Sequence, residues 1–244
     1  MRNILLEIEY DGSVYAGWQI QKNAMAVQQV IEDKLRPLLK EKVKLTAAGR
    51  TDSGVHAIGQ AANFKTHSNL NCDNILKALN SLLPKNICIK KAGEVSLNFN
   101  ARFSAKSKIY RYVIYNSKIR SVFFDKYAWR VSYKLNIPLM KLELKEIIGR
   151  HNFKSFSAAE KIERQPERKI LTASLKKKDG LLFIDIEGES FLYNMVRNIV
   201  GTLIEIGRGK LLSGSMKKIL AAKDRKAAGP CAPPYGLYLL KVNF

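Results

Sequence analysis

The feature that most limits how this chain can fold is an order of predicted secondary-structure elements that occurs twice. In the first half, apolar residues alternate up to Asp11-Gly12, as in a strand, and then recur at helical spacing. Further strand-like and helix-like segments follow in the same half. Asp73 is expected to cap the second helix and Pro84 to end it. The predicted strands are 4–10, 43–47, 59–65 and a segment around Ile87 and Ile89, and the predicted helices are 25–39 and the one between Asp73 and Pro84. This β-α-β-β-α-β order is that of the split βαβ, or ferredoxin-like, unit.

The second half repeats the order of elements without repeating the residues. The turn Lys-Lys-Lys-Asp-Gly at 176–180 predicts a hairpin, and Gly149 is the expected stop of the helix before it. The Lys-rich stretch 210–226 is expected to hold a further short helix. The predicted strands are 108–115, 170–175, 181–186 and 236–242, and the predicted helices are 136–149 and 191–206.

These elements predict an α+β protein made of two ferredoxin-like βαββαβ halves, residues 1–104 and 105–244. Two small sheets that join or pack would leave a cleft where the halves meet, and a ligand is expected there. The stretch 104–126 bridges the halves and is rich in Lys, Arg and Tyr. It either faces RNA or is a solvated basic surface.

The charge of the chain indicates a polyanionic partner. Its 244 residues include 42 Lys and Arg against 21 Asp and Glu, which gives a formal net charge of +21. Each phosphate that a protein neutralises releases counterions, so this excess favours nucleic acid. An anionic membrane surface would also attract the charge, but no stretch pairs a broad basic face with an uninterrupted apolar one.

Other features limit the class of protein further. Cys72, Cys88 and Cys231 form no CxxC pair, and the three histidines are scattered, so neither a metal site nor a disulfide framework is expected. Glu7 and Glu9 interrupt the apolar N-terminal stretch, which therefore reads as a strand and not as a signal peptide. No apolar run approaches the roughly 20 residues that span a bilayer. We expect a soluble, cytoplasmic protein.

The most informative motif is the run Gly-Arg-Thr-Asp-Ser-Gly-Val-His-Ala at 49–57. Its mixture of residues favours neither helix nor strand, so it is expected to form an ordered loop between two strands. Such loops often present functional side chains, and here Asp52 has Arg50 two residues before it. The alternative is a hairpin turn whose aspartate only bonds its own backbone. Composition alone leaves both open.

The predicted helix 191–206 places one arginine in apolar surroundings. Arg197 lies beside Val200, Gly201 and Ile204 on the helix. A guanidinium there either has a carboxylate or phosphate partner or extends to water at the helix edge. If the partner were Asp52, the pair would straddle the cleft, and the positive charge would keep the carboxylate ionised. The remaining residues form one apolar face: Leu192, Met195, Val196, Ile199, Leu203 and Ile206.

These motifs, with several others, resemble those of the tRNA pseudouridine synthase A family. Seven blocks occur in the family's order and cover almost the whole chain, a far more specific pattern than a lone Arg-Thr-Asp. They are Tyr-Asp-Gly-Ser-Val-Tyr-Ala-Gly-Trp-Gln (10–19), the 49–57 run, Ala-Leu-Asn-Ser-Leu-Leu-Pro (78–84), Ala-Arg-Phe-Ser-Ala (101–105), Tyr-Arg-Tyr (110–112), Phe-Leu-Tyr-Asn-Met-Val-Arg (191–197) and Ala-Pro-Pro-Tyr-Gly-Leu (232–237).

The resemblance implies the two-lobed pseudouridine synthase catalytic fold with a central cleft, and a homodimer that acts on tRNA. The family's targets are uridines 38 to 40 of the anticodon arm. By this resemblance Asp52 is the catalytic aspartate, Arg50 the base-flipping arginine and Tyr110 the ring that stacks on the target uracil. Arg197 is the arginine paired with the aspartate. The stretch 151–168, where a substrate-contacting loop is expected, is the least family-like.

The chemistry that the resemblance implies needs few special groups. The C1′–N1 bond of uridine breaks, the base rotates, and a C1′–C5 bond forms, so no metal or redox cofactor is expected. Asp52 could add to C1′ or C6 as a nucleophile, or remove the C2′ proton as a base. His56 is expected only to support the loop, and Trp18 and Trp129 to be core or rim aromatics.

Two other classes of protein explain the sequence less completely. A non-enzymatic RNA-binding protein would use Tyr110 and Tyr112 as a stacking platform on one strand face, but would leave the 49–57 loop and Arg197 unexplained. A nuclease or phosphotransferase would need clustered carboxylates for two metal ions, and the few acidic residues do not cluster.

Overall fold

A computed structural model of the chain describes residues 1–158 and 165–244. Contacts divide it into two compact units, a first unit of residues 1–106 with 238–244 and a second unit of residues 107–237. The strands are β1 (Arg2–Tyr10), β2 (Thr46–Ala47), β3 (His56–Thr66), β4 (Ile87–Val95), β5 (Ser107–Asn116), β6 (Trp129–Val131), β7 (Gly149–Asn152), β8 (Glu167–Lys178), β9 (Leu181–Gly188) and β10 (Leu237–Asn243). The helices are α1 (Val27–Leu39), α2 (Cys72–Leu82), α3 (Ala101–Ser104), α4 (Ile137–Lys145), α5 (Met195–Gly207) and α6 (Ser215–Ala222). The predicted α+β class is confirmed.

The sheet of the first unit has the strand order β4-β1-β3-β10. β1 runs antiparallel to β3 and β4, β2 pairs with the middle of β3, and β10 runs parallel to the start of β3. The β-α-β-β-α-β order predicted for this half is confirmed. Apolar side chains at alternate positions of β1 and on one stripe of each long helix are buried: Ile4, Leu6, Ile8, Ile31, Leu35, Ile75 and Leu79.

Two details of the first unit differ from the sequence-based prediction. The cap of α2 is Asn71, whose Oδ1 accepts the backbone N–H of Asn74 at 2.8 Å. Asp73 lies in the first turn of α2, where its charge complements the helix dipole instead of capping. The strand predicted at 43–47 is shorter, because only Thr46 and Ala47 pair with β3.

In the second unit, the sheet order is β5-β9-β8-β7. The predicted hairpin is confirmed with longer strands, β8 and β9. Its two-residue turn is Asp179-Gly180, and both residues have positive φ, 50° and 77°. That is the type I′ turn whose twist matches the flanking strands.

The helices of the second unit also differ in part from prediction. α5 begins at Met195 and not at 191, because Asn194 adopts a left-handed conformation with φ 61°. The apolar face predicted for it is nevertheless buried throughout. α4 ends at Lys145, and Gly149 begins β7 with φ 106° instead of stopping the helix. A short helix in 210–226 is confirmed as α6.

The division into units falls two residues after the predicted one and assigns the end of the chain differently. Tyr238–Phe244 belongs with the first unit, because β10 pairs with His56 and Ala57 at the start of β3. This pairing joins residues from opposite ends of the sequence.

Candidate active site

Asp52 lies at the start of a tight turn in the loop that joins β2 to β3. The backbone N–H of Val55 donates to the Asp52 carbonyl at 3.1 Å, which closes the turn. Gly54 has φ 75° while Ser53 has no positive φ, the pattern of a type II turn. Asp52 is half-buried. The motif therefore forms the ordered loop that its composition predicts.

Thr51, the residue before Asp52, is held by the 10–19 segment. Its side-chain hydroxyl lies 2.7 Å from the buried hydroxyl of Tyr10. The backbone N–H of Trp18 donates to the Thr51 carbonyl at 3.1 Å. One turn later, the N–H of Gly54 donates to the Tyr15 carbonyl at 3.3 Å. The 10–19 and 49–57 motifs, which are separate in the sequence, are therefore hydrogen-bonded to each other in the structure.

Two glycines of that segment permit this close approach. A Cβ on Gly12 would lie 2.0 Å from the Val55 carbonyl oxygen, and one on Gly17 would lie 2.5 Å from the Thr51 carbonyl oxygen. Gly17 also has φ 95°, a conformation that residues with a side chain rarely adopt. Backbone of the 10–19 segment therefore lies directly against backbone of the aspartate loop.

The Tyr10 hydroxyl is a neutral partner for Thr51. Burial raises the pKa of Tyr10 well above its ordinary value, because the phenolate would lose its hydration, and the hydrogen bond with Thr51 offsets this only in part. Tyr10 therefore keeps its proton across the physiological pH range.

His56 supports the loop, as its sequence position suggests. The side chain is buried, and its Nδ1 accepts the backbone N–H of Gly12 at 3.1 Å and lies 3.2 Å from Asp11 Oδ1. Its ring stacks on that of Tyr238 with centroids 4.8 Å apart. These contacts fix the start of β3 against the first turn of the 10–19 segment.

The structure places the other residues predicted for the site on separate elements. Arg50 is exposed in the loop, two residues before Asp52. Tyr110 lies on β5 with 8% of its surface exposed, and its ring meets that of Phe191 edge to face at 4.9 Å.

Arg197 lies in the first turn of α5 and is held by neutral acceptors. Its Nε donates to the Ala232 carbonyl at 2.7 Å, and its Nη1 donates to Asn194 Oδ1 at 2.9 Å. The N–H of Ala232 returns a bond to the Arg197 carbonyl at 3.2 Å. Farther along α5, a Cβ on Gly201 would lie 1.7 Å from the Pro230 carbonyl oxygen. The 191–197 and 232–237 motifs therefore meet, and the guanidinium is oriented by both.

Tyr112 is a core residue and not part of a surface platform. It is fully buried, and its hydroxyl donates to the Pro233 carbonyl at 2.7 Å. Gly236 is close to the same ring, since a Cβ there would lie 2.7 Å from it. The alternative in which Tyr110 and Tyr112 form an exposed stacking surface is therefore wrong.

A family profile described as tRNA pseudouridine synthase matches residues 7–104 and 144–244. The chain belongs to this family. Tyr110 lies in the unmatched interval, whereas the stretch 151–168, expected to be the least family-like, lies within a matched one. Residues 159–164 of that stretch are outside the described residues.

Relatives with the same family name match the chain from end to end. It is 46% identical to the tRNA pseudouridine synthase A of Geotalea daltonii, 45% to that of Acetivibrio thermocellus and 44% to that of a Thermoanaerobacter species. Each match covers 100% of both chains. Membership in the tRNA pseudouridine synthase family makes this protein an isomerase.

A solved structure was also found to be similar at low identity. The chain of an archaeal box H/ACA sRNP Nop10-Cbf5 complex matches with a TM-score of 0.38 and 11% identity, over 92% of this chain and 59% of that one.

Within residues 1–158 and 165–244, no group of three or more His, Cys, Asp or Glu side chains could hold a metal ion. No described helix is long and apolar enough to cross a membrane.

Sequence reasoning missed the contact between Tyr10 and Thr51 in this pseudouridine synthase. The signal was present, because the 10–19 block and the 49–57 run were both recognised as family motifs. The two glycines of the first block also marked places of close backbone approach. Only the fold shows that each approach is made to the aspartate loop.

Proposed function

We propose that this enzyme converts uridine to pseudouridine at positions 38 to 40 of the tRNA anticodon arm, with Asp52 as its catalytic carboxylate. The observation that carries the proposal is the fixed turn at Asp52. Its preceding residue is bonded through both the side chain and the carbonyl, and two glycines allow the 10–19 segment to hold it. A carboxylate presented in this way can meet a substrate without a large loss of conformational freedom.

The proposed reaction is an isomerisation in which the C1′–N1 bond of uridine breaks and a C1′–C5 bond forms. The proton on C5 is lost and N1 gains one, so atoms balance without an oxidant or water. Asp52 acts in the ionised form, either as a nucleophile at C1′ or C6 or as the base at C2′. Both routes remain open in the proposal.

The target base must leave its stack before Asp52 can reach the sugar, at a cost of about a few kcal/mol. We assign Arg50 to the space that the base leaves, because its guanidinium is planar, cationic and exposed on the loop. Tyr110 supplies the aromatic face for the extruded uracil. Its packing on Phe191 supports this role, since the ring is held in one orientation.

Arg197 is proposed as the partner that keeps Asp52 ionised. Its bonds to the Ala232 carbonyl and to Asn194 Oδ1 fix the orientation of the guanidinium, and a positive charge beside a carboxylate favours the ionised form. The pairing itself stays a prediction. A double-mutant cycle on Asp52 and Arg197 tests it, because two residues that act as a unit give strongly non-additive losses of rate.

The substrate and oligomeric state that we propose are those that the family resemblance implies. The net charge of +21 supports an RNA partner through counterion release. We also propose that the enzyme works in the cytoplasm as a homodimer, and light scattering of the purified protein at assay concentration tests the dimer. A monomer that is fully active would contradict this part of the proposal.

Tritium release from tRNA labelled at C5 of uridine tests the function directly. Asp52→Asn is expected to bind tRNA with the parent affinity and to release no tritium. The matched control is Asp33→Asn, an exposed aspartate on α1, which should keep full activity. Substrates with a single uridine at 38, 39 or 40 test the positions. Normal turnover by Asp52→Asn, or pseudouridine only outside the anticodon arm, would overturn the proposal.

A further inference from the structure

The Ala-Arg-Phe-Ser-Ala motif at 101–105 has no part in the chemistry proposed above. It forms α3, a single helical turn in which Ala101 is fully buried while Phe103 leaves 78% of its surface exposed. A single exposed apolar side chain is ordinary on a protein surface. What distinguishes Phe103 is how firmly its backbone is held.

The turn rests on two buried asparagines of the first unit. Asn63 Oδ1 accepts the backbone N–H of Ala101 at 2.8 Å, and Asn63 Nδ2 donates to Asn3 Oδ1 at 2.8 Å. Asn3 Nδ2 in turn donates to the carbonyls of Ser96 and Phe99, at 2.8 and 2.9 Å. Burying amide groups is costly unless they are satisfied, so these bonds stabilise one conformation of the turn.

Asn100 then fixes Phe103 itself. Its Oδ1 caps the turn by accepting from Arg102 at 3.0 Å and from Phe103 at 3.4 Å. The carbonyl of Asn100 accepts the same Phe103 N–H at 3.1 Å. After the turn, the N–H of Lys106 donates to the Asn243 carbonyl of β10 at 2.8 Å. The chain is therefore held on both sides of an exposed aromatic ring.

A cation lies next to that ring. The Arg102 guanidinium carbon is 5.3 Å from the centroid of the Phe103 ring, the geometry of a cation–π contact. Arg102 forms no ion pair with a carboxylate in the part of the chain that the structure describes. An aromatic face beside a cation whose charge is not neutralised is the pattern with which proteins bind a base and its neighbouring phosphate.

The turn lies close to the strands that carry the aspartate loop. Asn63 pairs with Thr46 of β2 and lies three residues from Gln60 along β3, about 10 Å at the usual rise per residue. Gln60 Nε2 donates to the carbonyl of Gly49, the first residue of the motif, at 2.9 Å. The turn is therefore within reach of an RNA strand that delivers a uridine to Asp52.

We infer that Phe103 stacks on a base of the tRNA other than the reacting uracil, with Arg102 binding the adjacent phosphate. This inference rests on the proposed function, because it needs a tRNA substrate. The ring lies on the first unit, on a different element from the residues assigned to the reacting uracil. It would fix the position of the RNA relative to Asp52 without entering the reaction.

Binding of tRNA to Phe103 variants, all in the Asp52→Asn background, tests this apart from catalysis. Phe103→Tyr keeps a flat ring and should bind with the parent affinity. Phe103→Leu keeps the apolar volume but cannot stack, and its Kd should rise about 5- to 100-fold. Arg102→Gln should lower the salt dependence of log Kd by about one unit of slope. The matched control is Tyr133→Leu, an exposed aromatic residue of the second unit that lies outside the stretch 104–126, and it should leave Kd unchanged.

Each other outcome overturns the inference. Equal Kd values for the parent and Phe103→Leu would show that the ring does not stack on RNA, and equal losses at Phe103 and Tyr133 would show a general surface effect. A change in oligomeric state on Phe103→Leu, measured by light scattering, would assign the ring to a second copy of the chain. If the parent itself failed to bind tRNA, the proposed function would fail together with the inference.

Discussion

The hydroxyl oxygens of Tyr10 and Thr51 lie 2.7 Å apart in a buried part of the first unit, one residue before Asp52. This bond joins the first strand of the sheet to the loop that carries the proposed catalytic carboxylate. The Tyr10 hydroxyl is bonded to Thr51, so the role we propose for it is to position the loop. Burial raises its pKa, which keeps the hydroxyl protonated and the bond intact across the physiological range.

Tyr10→Phe is therefore expected to slow the chemical step more than it weakens tRNA binding. Displacement of a reacting group by about 1 Å can cost on the order of 10²-fold, so we expect the single-turnover rate to fall roughly 10- to 100-fold. The control is Tyr15→Phe, which removes the bond to Asn86 Oδ1 at 2.8 Å but no contact with Thr51. Equal losses of rate in both variants would contradict the positioning role.

Gly17→Ala is expected to destabilise the enzyme and to abolish its activity. The new Cβ would lie 2.5 Å from the Thr51 carbonyl oxygen, and φ is 95°, so the backbone of the loop would have to move. We expect a loss of about 1–3 kcal/mol in the free energy of unfolding, measured by urea titration. Gly93→Ala on β4 is the control, since a Cβ there has no atom within 4 Å. A stable and active Gly17→Ala variant would show that the loop can shift without consequence.

Glu143→Gln is expected to lower stability without lowering the activity of the folded enzyme. The buried Glu143 carboxylate accepts the backbone N–H groups of Gly214 and Met216 at the start of α6. Loss of its charge weakens bonds that also complement the helix dipole, so the free energy of unfolding should fall by about 1–3 kcal/mol. The exposed Glu146→Gln should change it little. Loss of activity at full stability would contradict this purely structural role.

Local sequence patterns predicted most of the fold, because the alternation or helical spacing of apolar residues indicates which side chains are buried. They missed β6 and β7, which have three and four residues, too few for an alternating pattern to be visible. They also placed the start of α5 too early, since apolar residues continue through Leu192 although Asn194 breaks the helix. The parallel pairing of Tyr238 with His56 was beyond any local pattern.

For the site, the sequence identified the motifs but not their contacts. The 49–57 run was expected to form an ordered loop, and the turn at Asp52 confirms this. Gly17 lies against Thr51, and Ala232 orients Arg197. In each pair the two residues are more than 30 positions apart in the sequence. A glycine or a carbonyl in a sequence does not indicate its partner.

Glu41 gives the free energy of unfolding a predictable dependence on pH. Its carboxylate accepts the hydroxyl of Thr66 and the backbone N–H groups of His67 and Ser68, and these bonds, the Thr66 bond foremost, lower its pKa. Its stabilisation is therefore fully present above the unfolded-state pKa, about 4.3, and is lost as pH falls through the folded-state value. Glu41→Gln should be less stable than the parent at pH 7, and the two should converge in acid, whereas Glu146→Gln should follow the parent throughout. Urea titrations from pH 7 to pH 3 measure this, and a parent–variant difference that stays constant over that range would rule the linkage out.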